Sequence, residues 1–196
     1  MSNLAGLPYL TLEDYLAGEE TSDVKHEYIA GEVFAIAGAS EEHVTISGNI
    51  FAMLRAHVRG SDCRVYITDM KLLVAIEAAE NVFYPDVFVT CSPADAAERK
   101  LKRDPTLIVE VLSESTEAYD RGAKFAHYRQ LESLREYVLI DSRSRSIEVF
   151  RRRDQGWLLC PLVPEAPLML ESLEFSCEQD AVYEDVIFNS RETDDG

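Results

Sequence analysis

Three side chains in this sequence combine the types and spacing that chemistry would use: Asp86 in YPDVFV (84–89), Glu110 in PTLIVEVLSEST (105–116) and Lys124 in DRGAKFAHY (120–128). The first two stretches are mostly apolar and read as buried strands, each with one carboxylate where core is expected. Burying an unpartnered carboxylate costs on the order of several kcal/mol, so each acid needs a cation, a metal ion or strong donors. Side chains alternate along a strand, which puts Leu107, Val109 and Val111 on one face and Ile108, Glu110 and Leu112 on the other. Asp86 shares its face with Val82, Tyr84 and Phe88.

Two neighbouring strands with one acid each would aim both at a single divalent ion. Hard oxygen donors, without paired cysteines or clustered histidines, suit Mg²⁺ or Mn²⁺ better than zinc. Asp120 and Lys124 stand four apart and share one helix face, whose inner side brings the ammonium toward the carboxylates. Such a set suits phosphodiester hydrolysis: the metal polarises the phosphate and acidifies a bound water, and the lysine orients that water or stabilises developing charge. Each residue alone also has a structural reading. A strand acid can sit at an exposed strand end, and Lys124 can pair with Asp120 on a solvated face.

Three more residues belong to the same search. Glu27 would supply a third metal oxygen, or else is an exposed strand acid or a partner for Lys25. His43 would touch a phosphate or water, or else is a solvated histidine near a helix start. Asp69 has Lys71 two positions on and reads as half of a structural ion pair.

The elements that must position these groups follow from patterning. TLEDYLAGEE predicts a short helix with Thr11 as cap and Asp14 in the capping-box place. KHEYIAGEVFAIAG predicts a hairpin turning at Ala30-Gly31. Residues 41–59 place Val44, Ser47, Ile50, Phe51, Leu54 and Val58 at helical spacing, with acids first, arginines late and Gly60 beyond. CRVYITDMKLLVAI and VFYPDVFVT read as two strands, residues 91–104 as a charged loop, and residues 116–132 as a second helix. EYVLIDSRSRSIEVFRRRDQGWLLCPL alternates as a meander with turns at 142–145 and 154–156, followed by LMLESLEF and an amphipathic close. The order predicts one α/β domain over residues 1–188, with a central mixed β-sheet flanked by helices and additional antiparallel hairpins, and a loose acidic tail at 189–196.

Composition narrows the classes. The chain has 196 residues, 46% hydrophobic and 28% charged, enough apolar material for a real core. It shows no membrane-length apolar run and no secretory pattern, which predicts a cytoplasmic protein. The four cysteines lie far apart and read as reduced thiols. A net charge of −17 argues against strong nonspecific binding of nucleic acid, since phosphate neutralisation supplies most of that affinity. Basic residues cluster at 99–103 and 143–153, and both clusters read first as solvated loop and hairpin charge. Apolar edges in the late hairpins suggest a homodimer.

The stretches YPDVFV, PTLIVEVLSEST, YDRGAKFAHY and LREYVLID, with TLEDYL, HEYIAGEV and SIEVFR, resemble the Uma-two family of restriction-endonuclease-like proteins, over about residues 9 to 188. That family belongs to the PD-(D/E)xK nuclease superfamily. The resemblance implies a restriction-endonuclease-like core and Mg²⁺-dependent cleavage of DNA. It assigns Asp86 and Glu110 as the two acids and Val111 as the lender of a backbone carbonyl to the ion. The usual lysine position is Leu112 here, so the strict motif fails, and Lys124 on the following helix fits the displaced lysine of this family. A non-catalytic member of the same fold, acting as an assembly module, is the alternative, and the negative charge favours it.

Overall fold

In the computed structural model, residues 9–76 and 79–188 are described; the acidic tail expected at 189–196 lies outside them. The chain opens with α1 (Leu12–Glu19), whose cap Thr11 accepts from the Asp14 amide at 3.1 Å. The predicted hairpin comes next as β1 (His26–Ile29) and β2 (Glu32–Ala35). Its two turn residues, Ala30 and Gly31, have φ of 47° and 94°, the left-handed pair that a tight hairpin requires. Then comes α2 (Glu41–His57), capped by Ser40, with Glu41 and Glu42 in the first turn and Arg55 and His57 in the last.

Beyond it lie β3 (Arg64–Ile67), β4 (Lys71–Ile76), β5 (Ala79–Phe83) and β6 (Val87–Thr90). The sequence reads as two long strands here, and the structure divides each in two. β3 pairs β6 in one sheet, with Ile67 opposite Val87, while β4 pairs β5 in another, with Leu72 opposite Phe83. The ribbon turns a corner between the sheets at residues 68–70 and 84–86. Pro85 has no N–H to give a ladder, Thr68 takes a left-handed φ of 47°, and the last rung is the Thr68 amide donating to the Asp86 carbonyl at 3.0 Å. Asp86 therefore lies in the corner, not within a strand. Asp69, in the same corner, pairs with Lys25 at 2.7 Å rather than with the expected Lys71, which lies over the Tyr84 ring.

The expected loop 91–104 contains a short α3 (Pro93–Ala97) and β7 (Leu101–Lys102). β8 (Pro105–Leu112) leads into a helix that is not uniform: α4 (Glu117–Tyr119), a π-helical turn over Asp120–Lys124, and α5 (Phe125–Tyr128). The meander is β9 (Glu136–Asp141), β10 (Ile147–Arg153) and β11 (Gly156–Pro161). β12 (Leu168–Leu170), β13 (Phe175–Cys177) and α6 (Gln179–Val182) complete the described chain.

The larger sheet runs β11-β10-β9-β8-β6-β3 and is mixed, since β8 and β9 are parallel and their other neighbours antiparallel. The second sheet runs β2-β1-β5-β4-β7. One face of the larger sheet, with Val87, Val89, Leu107, Val109 and Val111, packs against Ile46, Ile50 and Leu54 of α2. The other face, with Phe88, Ile108 and Leu112, packs against Phe125 and Tyr128 of α5 and Leu72, Val74 and Phe83 of the second sheet. The alternation along β8 is the predicted one, so Glu110 points toward α5 and the seam between sheets. This is the mixed α/β architecture with flanking helices that the residue pattern predicts.

The cysteines need correction. Cys63 and Cys91 form a disulfide, one position beyond the Arg64–Thr90 rung of the β3–β6 pair, while Cys160 and Cys177 are free. Separation of 28 residues in sequence hides a pair that strand register makes adjacent.

Candidate functional site

The corner of the ribbon, the C-terminal half of β8 and the π-helical turn meet at one place, and the acids lie there. Asp86 leaves the second sheet just after Pro85, opposite Glu110 in the register that Val87–Val109 sets. Its carboxylate then does what the broken ladder does not. Oδ2 accepts the Val111 amide at 2.7 Å, and the Asp86 amide donates to Glu110 Oε2 at 3.3 Å. Oδ1 meets His43 Nε2 at 2.9 Å, so the first turn of α2 is tied to the corner.

Glu110 Oε1 is doubly engaged: Tyr128 donates its hydroxyl at 2.9 Å and Lys124 Nζ stands at 3.0 Å. Lys124 also reaches Glu27 Oε1 at 3.2 Å and Asp120 Oδ1 at 3.4 Å. Tyr119 donates to the other oxygen of Glu27 at 3.3 Å. Asp120 and Lys124 both face inward from the π-helical turn, and Tyr137 donates to the Asp120 carbonyl at 3.0 Å. The structure thus brings Asp86, Glu110, Lys124, Glu27 and His43 into one connected network, with Val111 bonded to Asp86 through its amide. Glu27 enters it as a partner of Lys124 and Tyr119, and His43 as a partner of Asp86.

Electrostatics follow from the count of charges. Glu110 and Lys124 are almost sealed, their side chains 3% and 8% exposed, whereas Asp86 keeps 18%. Burial, with the Asp86 and Asp120 charges adding to it, pushes the Glu110 carboxyl well above the ordinary carboxylate range, against the pull of Lys124. Burial likewise raises Asp120. Burial alone would lower Lys124, but Glu110, Tyr128, Glu27 and Asp120 outweigh it and hold the ammonium well above its usual range. Lys124 stays charged, and the shortfall of positive charge falls on the two buried acids. A cluster with more carboxylates than cations attracts a further cation.

The donor set fits a hard divalent ion in one particular way. Among the described residues, no group of three or more His, Cys, Asp and Glu side chains is placed to hold a metal ion. Asp86 Oδ1, Asp86 Oδ2 and Glu110 Oε2 each carry one hydrogen bond here, and a carboxylate oxygen has room for a second partner. Mg²⁺ commonly takes one or two carboxylates and fills its remaining positions with water and phosphate oxygens. The residues fit that mode and not an all-protein cage.

The basic clusters are mostly exposed, as expected of loop and hairpin charge, and many of their side chains have partners within the chain. Lys102 is buried, donating to the Asp95 and Glu98 carbonyls and lying over Tyr66. Arg143 pairs with Asp141 and Glu117, Arg151 with Glu136 and Glu171, and Arg153 with Glu171. Arg152 caps the Leu134 and Leu131 carbonyls. Near the first turn of α2, a cavity of about 310 Å³ is lined by Ser40, Glu42, Ser113 and Arg143, among others. Sequence reasoning missed Tyr128, Tyr119 and Tyr137, because a tyrosine at helical or strand spacing reads only as core.

Comparison with known proteins agrees with this architecture. The family model Uma2, described as "Putative restriction endonuclease", matches residues 12–180. Two proteins of Synechocystis sp. are similar: "Uncharacterized protein slr1290", 38% identical over 94% of this chain and 96% of its own length, and "Uncharacterized protein sll1609", 34% identical over 84% and 94%. A solved structure described as "a putative nuclease belonging to DUF820", from Anabaena variabilis, superposes with a TM-score of 0.72. It covers 89% of this chain and 97% of that one at 15% identity, a likeness of fold.

Proposed function

We propose that this chain, which belongs to the Uma2 family, is a Mg²⁺- or Mn²⁺-dependent endonuclease-like hydrolase that cleaves phosphodiester bonds of DNA. The observation that carries the reading is the contact between segments. Lys124 Nζ lies 3.0 Å from Glu110 Oε1, while Asp86 bonds to Glu110 through its amide and to Val111 through its carboxylate.

In this reading Asp86 and Glu110 hold the ion, with the Val111 carbonyl as a further donor. The bound ion would polarise the phosphate and acidify a water. The chain's own groups do the rest. Asp86 is the reachable acid, at the corner where side chains still meet solvent. His43 holds one oxygen of Asp86 and would touch a phosphate or water beside it. Lys124 keeps its ammonium charged among the acids, where it orients the attacking water and offsets negative charge that grows during attack.

Calorimetric titration with Mg²⁺ and Mn²⁺ of wild type and Asp86→Asn tests the ion site. Nuclease assays on linear, supercoiled and single-stranded DNA test the activity. Saturable binding lost in Asp86→Asn, together with ion-dependent cleavage, is the expected result. Equal heats from the two proteins would overturn it.

A second reading, a nuclease fold kept as an assembly module, has its own observation. Arg151 and Arg153 of β10 are paired with acids of the same chain and Arg152 with backbone carbonyls, and the net charge of −17 repels a polyanion. Ion binding without cleavage of any DNA form would favour it.

A further inference from the structure

The buried tyrosines of this chain spend their hydroxyls in two ways. Tyr15, Tyr28, Tyr137 and Tyr183 donate to backbone carbonyls, of His26, Leu10, Asp120 and Ser146. Those bonds satisfy peptide groups and are structural. Tyr84 gives its hydroxyl instead to the Glu19 carboxylate, and Tyr128 gives its own to Glu110 Oε1 within the acid–lysine network, each at 2.9 Å. The Tyr128 ring is fully buried and gripped edge-on by Phe83 and Tyr137, with centroids 5.2 and 5.6 Å away. The hydroxyl has no freedom to track a moving carboxylate, so the carboxylate must stay with the hydroxyl.

We infer that Tyr128 is a positioning residue that selects which oxygen of Glu110 is offered to a divalent cation. This inference rests on the reading of Asp86 and Glu110 as ion ligands. Oε1 already accepts from Tyr128 and stands 3.0 Å from the Lys124 ammonium, so it is the engaged oxygen of the carboxylate. Oε2 carries only the 3.3 Å contact from the Asp86 amide, and so the free oxygen of Glu110 is the one beside Asp86. Without the hydroxyl, Oε1 keeps Lys124 alone. The carboxylate can then rotate about its last bond and swing both oxygens toward the ammonium. Groups that hold a ligand through such a hydrogen bond are commonly worth about 10- to 100-fold in metal affinity.

Tyr128→Phe removes one neutral hydroxyl and leaves every formal charge in place, so a change in ion affinity reports geometry and not a change in the local field. The test is Mn²⁺ titration of the full chain by calorimetry for wild type, Tyr128→Phe and Tyr183→Phe. Tyr183 is an equally buried tyrosine on the far side of the larger sheet and controls for the loss of a core hydroxyl. We expect Mn²⁺ affinity to fall roughly tenfold or more in Tyr128→Phe and to hold in Tyr183→Phe. Wild-type affinity in Tyr128→Phe, or an equal fall in both variants, would overturn the inference while leaving the ion site intact. No Mn²⁺ binding by wild type would overturn the ion site itself, and the inference with it. A measurement without a variant guards against a folding defect: the Tyr128 hydroxyl proton of the wild type should shift in NMR when Mg²⁺ saturates the protein. An unmoved proton counts against the inference.

Discussion

Lys124 and Glu110 form the most deeply buried ion pair of the network, at 3.0 Å, and the same ammonium also serves Glu27 and Asp120. Removing it strands three carboxylates away from water. Lys124→Met should therefore lower unfolding free energy by about 3–5 kcal/mol, the usual cost of breaking a buried pair from one side. Adding Glu110→Gln in the same chain should recover part of that loss. Urea denaturation of the single and double variants measures both, and an unchanged midpoint in Lys124→Met would show that the cluster is solvated.

Asp86→Asn should separate chemistry from folding. The amide oxygen can still accept the Val111 N–H that Oδ2 takes at 2.7 Å, so the corner keeps its bond. We expect a stability change of no more than about 1 kcal/mol, alongside loss of divalent-ion binding. A drop of several kcal/mol would mean that the carboxylate charge itself holds the corner together.

The bond between Cys63 and Cys91 closes a loop of 28 residues across the edge strand β3. Chain-entropy reasoning gives about 3–4 kcal/mol for a loop of that size. Denaturation with and without dithiothreitol should show that difference. Thiol titration of the unfolded, non-reduced protein should find only the thiols of Cys160 and Cys177.

Burial, with the neighbouring Glu178 charge adding to it, pushes the Cys177 thiol up to about 11. Between the ordinary thiol value and that one, the folded protein holds a proton that the unfolded chain has lost. Stability from this group is therefore full below the ordinary value and falls as pH rises through that window. Alkylation of Cys177 by iodoacetamide, read by mass spectrometry, should be slow at pH 8 and rise about tenfold per pH unit up to about pH 10. Fast labelling at pH 8 would mean that the thiol is open to water.

Much of the arrangement is legible in the residues, and the gaps have identifiable causes. Period-two alternation places Glu110 on the face opposite Leu107, Val109 and Val111, and packing respects it. Four-residue spacing joins Asp120 to Lys124. The cap at Thr11 starts the first helix, and apolar spacing with acids first and arginines late marks the second. The corner at 68–70 and 84–86 is not legible, because an apolar run looks the same whether it crosses one sheet or passes between two. Pro85 is its one local signal. The π turn is hidden for a similar reason: residues four apart stay neighbours in either helix type. Asp69 chose Lys25 over Lys71 because a corner, and not a strand, sets where its side chain points. The disulfide depends on register between strands, which the spacing of cysteines does not carry.

The π-helical turn has a genetic consequence. It holds one more residue than an ordinary turn, and Gly122 lies in its middle with nothing within 4 Å of where a side chain would begin. Loss of that single codon would let the helix relax to regular winding while the residues on either side keep their faces, since Asp120 and Lys124 would then stand three apart and remain neighbours. Asp86, Glu110 and Lys124 would all remain in the gene, and the ammonium would still face the acids. In relatives of this protein, the segment between the second acid and the lysine can therefore be one residue shorter without turning the lysine to another face of the helix.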